Sequence, residues 1–358
     1  MIENNKTQLR DSNIELLRIL MMLVIIAHHY IVNSEIAPLV LGSQIVGGGQ
    51  MYSINKMFAL CFGFGGKMAI NVFLLITGYF MCRKEFGWQK VINLLCLMVF
   101  YRWIIYAVFI FTGYEKFSLL EFAKTILFVP LDFGRGFSSS FLGLYLLIPF
   151  LNKAVQNFEK KDFQYLILTL LFLFTVLSSF FLNSAFEYIG WYATVYLIGA
   201  YLRLYPLEFL GKTKKCLVLS VAGLFLCYAS IIFISFAGAK LNKNLPVYWF
   251  VNDSNKILAI FTAAALFCLF KNLKIGHIKI VNTLAASTFG ILLIHASSDT
   301  MRNWLWNDVF HSAESYSNKL FPLYAFGAVF AVYLACFAID FIRKQISNGV
   351  KIICMRSR

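Results

Sequence analysis

Residues 14–33 read IELLRILMMLVIIAHHYIVN, and the fold follows from how such a run can be satisfied. At roughly 1.5 Å per residue it reaches about 30 Å, the thickness of the hydrocarbon layer of a bilayer. Lipid offers no partner to backbone N–H and C=O groups, so a run of this kind must close its hydrogen bonds within itself, as a helix. The alternation of apolar and polar residues that a membrane barrel needs is missing. The same run carries Glu15, Arg18, His28, His29 and Asn33. A secretory signal core would not tolerate these groups, so the run is read as a spanning helix and not as a cleaved leader.

Outward from it, nine further apolar runs lie near 62–82, 91–113, 137–151, 163–182, 187–202, 216–237, 251–270, 280–298 and 320–340. Ten spans predict an all-α, polytopic integral membrane protein. No long polar stretch remains from which a soluble domain could be built, so residues 1–358 are read as one membrane domain. Composition agrees: 60% of the residues are hydrophobic and 14% charged, against about 25% charged in an average soluble domain.

A formal net charge of +15 would suit a nucleic-acid partner, but the placement of the charge argues against one. With loops assigned alternately from a cytoplasmic N-terminus, 20 Lys and Arg fall on the inner side and 9 on the outer, and Arg18, Lys67 and Arg102 lie within apolar runs. This is the positive-inside pattern of a multi-pass protein of the cytoplasmic membrane with both termini in the cytoplasm. The expected surroundings are membrane lipids, with no nucleic acid. The eight cysteines are scattered, mostly in or beside apolar runs, and no pair is separated by only two residues. They read as small buried apolar groups, with no metal or redox motif.

Two connectors stand out. Gly47, Gly48 and Gly49, followed by Gly63, Gly65 and Gly66, suit a turn or a gate before the second span. Residues 114–136 mix Phe117, Leu119, Leu120, Phe122 and Ile126 with Glu115, Lys116, Glu121 and Lys124, a pattern for a helix lying on the outer membrane surface.

Charges in mid-span carry the functional information, because each costs about 2.5 to 3.5 kcal/mol unless it faces water or a partner. In the first span Arg18, Met22, Ile25 and His29 follow i, i+4, i+7, i+11 and so share one face. Arg18 and His29 are about 16 Å apart along the axis, so both can line one chamber without touching. Glu15, one turn before Arg18, can pair with it. His28, rotated by about 100°, should face a neighbouring helix. A buried ion pair beside a packing histidine is the alternative reading, but it leaves the shared stripe without a reason. In the ninth span Thr288, Leu292, His295 and Asp299 also form a stripe, with Asp299 placed to orient His295, which lies at a depth where it could meet His29. In the second span Asn71 is polar near the middle, whereas Thr77 and Gly78 are explained by close helix packing.

These segments together resemble acyltransferase family three, membrane enzymes that O-acylate bacterial surface glycans and related lipids. The family's first helix bears an acidic residue three before an arginine, then ten residues, then histidine, matched by Glu15, Arg18 and His29 in NIELLRILMMLVIIAHHY. Its second helix is matched by INVFLLITGYF (70–80), its fourth by FLGLYLLIPFLN (141–152) and a late helix by STFGILLIH (287–295), which implies a role for His295. Where the family often shows an arginine cluster after the second helix, this chain has Arg83, Lys84 and Lys90, and SSSF (138–141) replaces a tryptophan usual before the fourth helix.

The resemblance implies transfer of an acyl group, acetyl in the usual case, from acetyl-CoA to a hydroxyl of a surface polysaccharide or its lipid-linked precursor, with no resident cofactor. Arg18, Arg83, Lys84 and Lys90 are then the residues expected to meet the CoA phosphates. His29 is the expected general base, since a free imidazole has a pKa of about 6.5 and can take the hydroxyl proton and return it to the leaving thiolate. Asn71 and His295 are the candidates to steady the oxyanion. Acylation of His29 itself is a chemical alternative. A flippase for a lipid-linked glycan is the rival of another class, although no inverted repeat is visible.

Overall fold

The computed structural model describes residues 11–41, 53–132, 136–181, 188–243 and 245–356. The expected turn at Gly47–Gly49 lies outside the described residues. All regular structure among the described residues is helical. The helices that matter below are α1 (Ser12–Val32), α2 (Ile54–Gly63), α3 (Gly66–Met81), α4 (Trp88–Phe111), α5 (Leu119–Leu131), α6 (Phe137–Asn157), α7 (Tyr188–Leu204), α8 (Ile257–Asn272), α9 (Thr288–His295) and α10 (Phe321–Arg356).

Seven helices among the described residues are long and apolar enough to cross a membrane, and the count reaches eight when Lys279–His295 and Asp299–Val309, bent by 100°, are taken as one. The expectation of ten is therefore too high. Two of the expected runs, 187–202 and 251–270, form helices of only 17 and 16 residues, short of the roughly 20 that a crossing needs. Most of α7 is buried within the bundle, including Trp191, Tyr192, Val195 and Tyr196. Residues 251–256 form turns instead of helix and are pinned by Lys256 Nζ, which donates to Ser178 O at 2.5 Å. The amphipathic stretch becomes α5, as its pattern predicts.

Helix contacts at the centre depend on missing side chains. At Gly78 in α3 a Cβ would stand 2.1 Å from the carbonyl oxygen of Tyr196 in α7, and at Gly199 one would stand 2.5 Å from that of Leu75. Small residues on both sides thus let two backbones touch, the device by which helices associate where no hydrophobic drive separates protein from lipid.

An ionic cluster fixes α9. Asp340 of α10, 1% exposed, accepts from Tyr101 Oη at 2.7 Å and from Arg343 Nε and Nη2 at 3.0 and 2.9 Å, and pairs with Lys344 at 2.8 Å. Lys344 Nζ also donates to Ala286 O and Ser287 Oγ at 2.7 and 3.0 Å, at the start of α9. Gly290 leaves room for the carboxylate, since a Cβ there would meet it at 2.4 Å. These partners offset part of the cost of burying the carboxylate and tie α4, α9 and α10 together.

Candidate active site

The packing of α1 against the break between α2 and α3 sets the histidines. His28 Nδ1 is 2.6 Å from Gly63 O and so donates to it. A Cβ on Gly66 would lie 2.4 Å from His28 Cγ, so only glycine admits the ring. Of the turn and the gate considered for Gly63, Gly65 and Gly66, the structure displays the turn, at residues 64–65 between α2 and α3. His28 faces this neighbour, as its rotation off the Arg18 stripe predicts.

His29 meets His295 across the bundle, its Nδ1 3.0 Å from His295 Nε2 with ring centroids 5.1 Å apart. The second nitrogen of His295, Nδ1, is 2.7 Å from Ile291 O. A carbonyl oxygen only accepts, so His295 Nδ1 carries a hydrogen. In the neutral ring its Nε2 is then an acceptor. His29 must therefore donate from Nδ1, which leaves Nε2 of His29 as its basic nitrogen. The network thus fixes both tautomers and leaves one lone pair for chemistry.

His29 borders a cavity of about 650 Å³, whose wall also carries His28, Lys67, Arg102, Tyr188 and Arg302. The carboxylates of Glu115, Glu121, Asp132 and Asp299 balance these cations. Lys124 pairs with Glu121 at 2.6 Å, and Lys67 Nζ donates to Tyr188 Oη at 2.7 Å and lies 3.5 Å from Asp253 Oδ1. His295, fully buried, stands behind His29 and is not part of the wall. Among the described residues no group of three or more His, Cys, Asp or Glu is arranged to hold a metal ion.

Several expected placements are corrected. Arg18 does not line this cavity. It is half-buried about three turns away along α1, with its Nε buried and without a hydrogen-bond partner. Glu15 is buried in the first turn of α1, and no ion pair between the described residues joins it to Arg18. Asn71 is fully buried and committed to the fold: its Nδ2 donates to Ser254 O at 2.6 Å and its Oδ1 accepts from Trp191 Nε1 at 3.1 Å. It is not on the cavity wall. Asp299 does not orient His295, because the helix ends at His295 and the chain bends; Asp299 is exposed at the rim and pairs with Arg302. His295 Nε2 accepts from His29, so that nitrogen is not free to donate to an oxyanion. Arg83, Lys84 and Lys90 are exposed beyond the far end of α3, about 24 Å from Lys67 at its start.

A family model described as an acyltransferase domain matches residues 11–341. The chain belongs to acyltransferase family three. The match takes in α1 with its two histidines, the bend after His295 and most of α10. No curated protein and no solved structure matches the chain.

Tyr188, Asp253 and Arg302 had no signal in the sequence, since each lies outside an apolar run or at its edge. Lys67 and Arg102 did, as charges within such runs. The orienting contact of His295 has a measurable consequence. In His295→Ala, kcat for acyl transfer should fall roughly 10- to 100-fold, the size of effect found when a group orienting a functional imidazole is removed, while the donor KM stays near its original value. An unchanged kcat in a folded His295→Ala protein would remove the orienting role.

Proposed function

We propose that this membrane acyltransferase moves an acyl group, acetyl in the first instance, from acyl-CoA to a hydroxyl of a cell-surface polysaccharide or its lipid-linked precursor. The observation that carries the reading is the His29–His295 pair, which leaves a single basic nitrogen on a half-buried imidazole bordering a roomy polar cavity. His29 Nε2 takes the acceptor hydroxyl proton as the oxygen attacks the thioester carbonyl. The tetrahedral intermediate then collapses, the C–S bond breaks, and the same nitrogen returns the proton to the thiolate. The products are an O-ester and free CoA thiol.

The wall supports a polyhydroxylated acceptor. Matched carboxylates and cations offer many donors and acceptors without net charge, and Tyr106, Phe109, Phe137 and Tyr188 add ring faces for the apolar side of a sugar. The donor is assigned to the opposite end, where Arg18 and the exposed Arg83, Lys84 and Lys90 would meet its phosphates. On this reading the phosphates remain in the cytoplasm, and donor binding must part the side chains between Arg18 and the cavity for the pantetheine arm to bring the thioester to His29.

The test uses purified protein in liposomes with acetyl-labelled acetyl-CoA and glycan from the native surface. Label should appear on the glycan as an ester released by mild base, together with one free CoA thiol per ester. Passage of lipid-linked glycan across the bilayer with no CoA released would replace this reading with the flippase. A burst of label held covalently on His29 would keep the acyltransferase and select the acyl-enzyme route.

A further inference from the structure

We infer that Lys67 is a catalytic residue, its ammonium stabilising the oxyanion that forms when the acceptor attacks the thioester; this rests on the acyl transfer proposed above. Local stability does not explain the placement of Lys67. Lys67 is the second residue of α3, where the positive end of the helix macrodipole disfavours a cation. It also lies inside an apolar span, where a lysine is costly unless it meets water or a partner. Both effects strengthen the positive potential at the same point of the cavity wall.

That point borders the same cavity as the reacting nitrogen. Gly66, the residue before Lys67, is in contact with the His28 ring, and His29 is the next residue along α1. Gly66, Lys67, His28 and His29 all border the one cavity. The ammonium is held in place by Tyr188 Oη at 2.7 Å and Asp253 Oδ1 at 3.5 Å. An ammonium has three hydrogens, so two partners leave one for a ligand. Tyr188 borders the cavity as well, whereas Asp253 holds Lys67 from behind the wall. The arrangement is that of a preorganised cation whose own anchors fix its direction before substrate arrives.

The acceptor oxygen forms its bond to the thioester carbon while its proton passes to His29 Nε2, and the carbonyl π pair moves onto the carbonyl oxygen. That oxygen, now negative, accepts from Lys67 Nζ. The pair returns as the carbonyl re-forms, the C–S bond breaks, and the sulfur receives the proton from His29. Lys67 stays protonated throughout and supplies charge only.

The rival role for Lys67 is to fasten residues 247–256 to α3 through Asp253, and the experiment separates the two. The proteins Lys67→Met, Lys67→Arg, Lys67→Met/Asp253→Asn and His29→Ala are compared in liposomes for kcat, donor KM and Tm. Lys67→Met is expected to lose about 10²- to 10³-fold in kcat, the usual effect of removing one oxyanion donor, with donor KM changed less than about threefold. Lys67→Arg, keeping the charge, should recover part of the loss. The double variant removes both charges and leaves none unpaired, so its Tm should stay near the original while kcat remains low. Full kcat in the double variant, or a loss in Lys67→Met that appears only in KM, would overturn the inference while leaving His29 as the base. An undiminished kcat in His29→Ala would overturn both readings together.

Discussion

A protein carrying His29→Ala is expected to lose acyl transfer by about 10² to 10⁴ in kcat, the contribution of a positioned general base. The effect should be confined to chemistry. His29 is half-buried at a cavity edge, so shortening it enlarges an existing hollow and does not open a void in a packed core. The fold should survive, with Tm close to that of the parent, and donor KM should hold because the phosphates are assigned to the other end of α1. His295 would remain bonded to Ile291 O and would not replace the missing base, since it stands behind the wall. A cavity of about 650 Å³ also leaves room for added imidazole, so millimolar imidazole should restore part of the rate. Transfer by His29→Ala within about threefold of the parent would place the base elsewhere.

The largest effect on assembly is expected from Gly78→Val. Its Cβ would fall 2.1 Å from Tyr196 O, and its partner surface is backbone, which cannot rotate aside. Overpacking in a core ordinarily costs about 1 to 3 kcal/mol; here α3 and α7 must separate along their length, so the change should approach the whole stability of the bundle, about 5 to 15 kcal/mol. Gly78→Val should give little or no monodisperse protein in detergent. Gly87→Val is the control: that glycine stands in the loop before α4 with nothing within 4 Å of a Cβ, and its variant should elute and melt like the parent. Normal elution and Tm for Gly78→Val would contradict the contact.

The parts of the site that could be read in the sequence are those that depend on periodicity. His29 was found because a helix returns it to the face of Arg18, and its meeting with His295 followed from the depth of each in its own span. What failed were inferences from polarity alone. Asn71 is polar in mid-span because Trp191 and a turn carbonyl need a partner, a packing role that a single sequence does not distinguish from catalysis. The shared chamber for Arg18 and His29 failed because a common helix face does not guarantee a continuous hollow three turns long. Lys67 was visible as an intramembrane charge, yet its partners Tyr188 and Asp253 are more than a hundred residues away and carry no pattern. The Asp340 cluster was lost to a boundary: the last span was ended at 340, whereas α10 runs on to Arg356 and brings Arg343 and Lys344 one turn later onto the carboxylate. The span count was too high because hydropathy windows score composition and do not register a helix that stops short or bends.

The elbow that follows His295 has a bearing on how such proteins diverge. The hydrogen bonds that fix the imidazole pair lie before the elbow or on α1; beyond it the chain turns off at 100°, with Asp299, Thr300 and Arg302 on the cavity wall and Leu305 and Trp306 buried in the core. Exchanges at Asp299, Thr300 and Arg302 would therefore recut one side of the cavity without touching the two imidazoles, so that acceptor preference and chemistry can evolve on separate pieces of the chain.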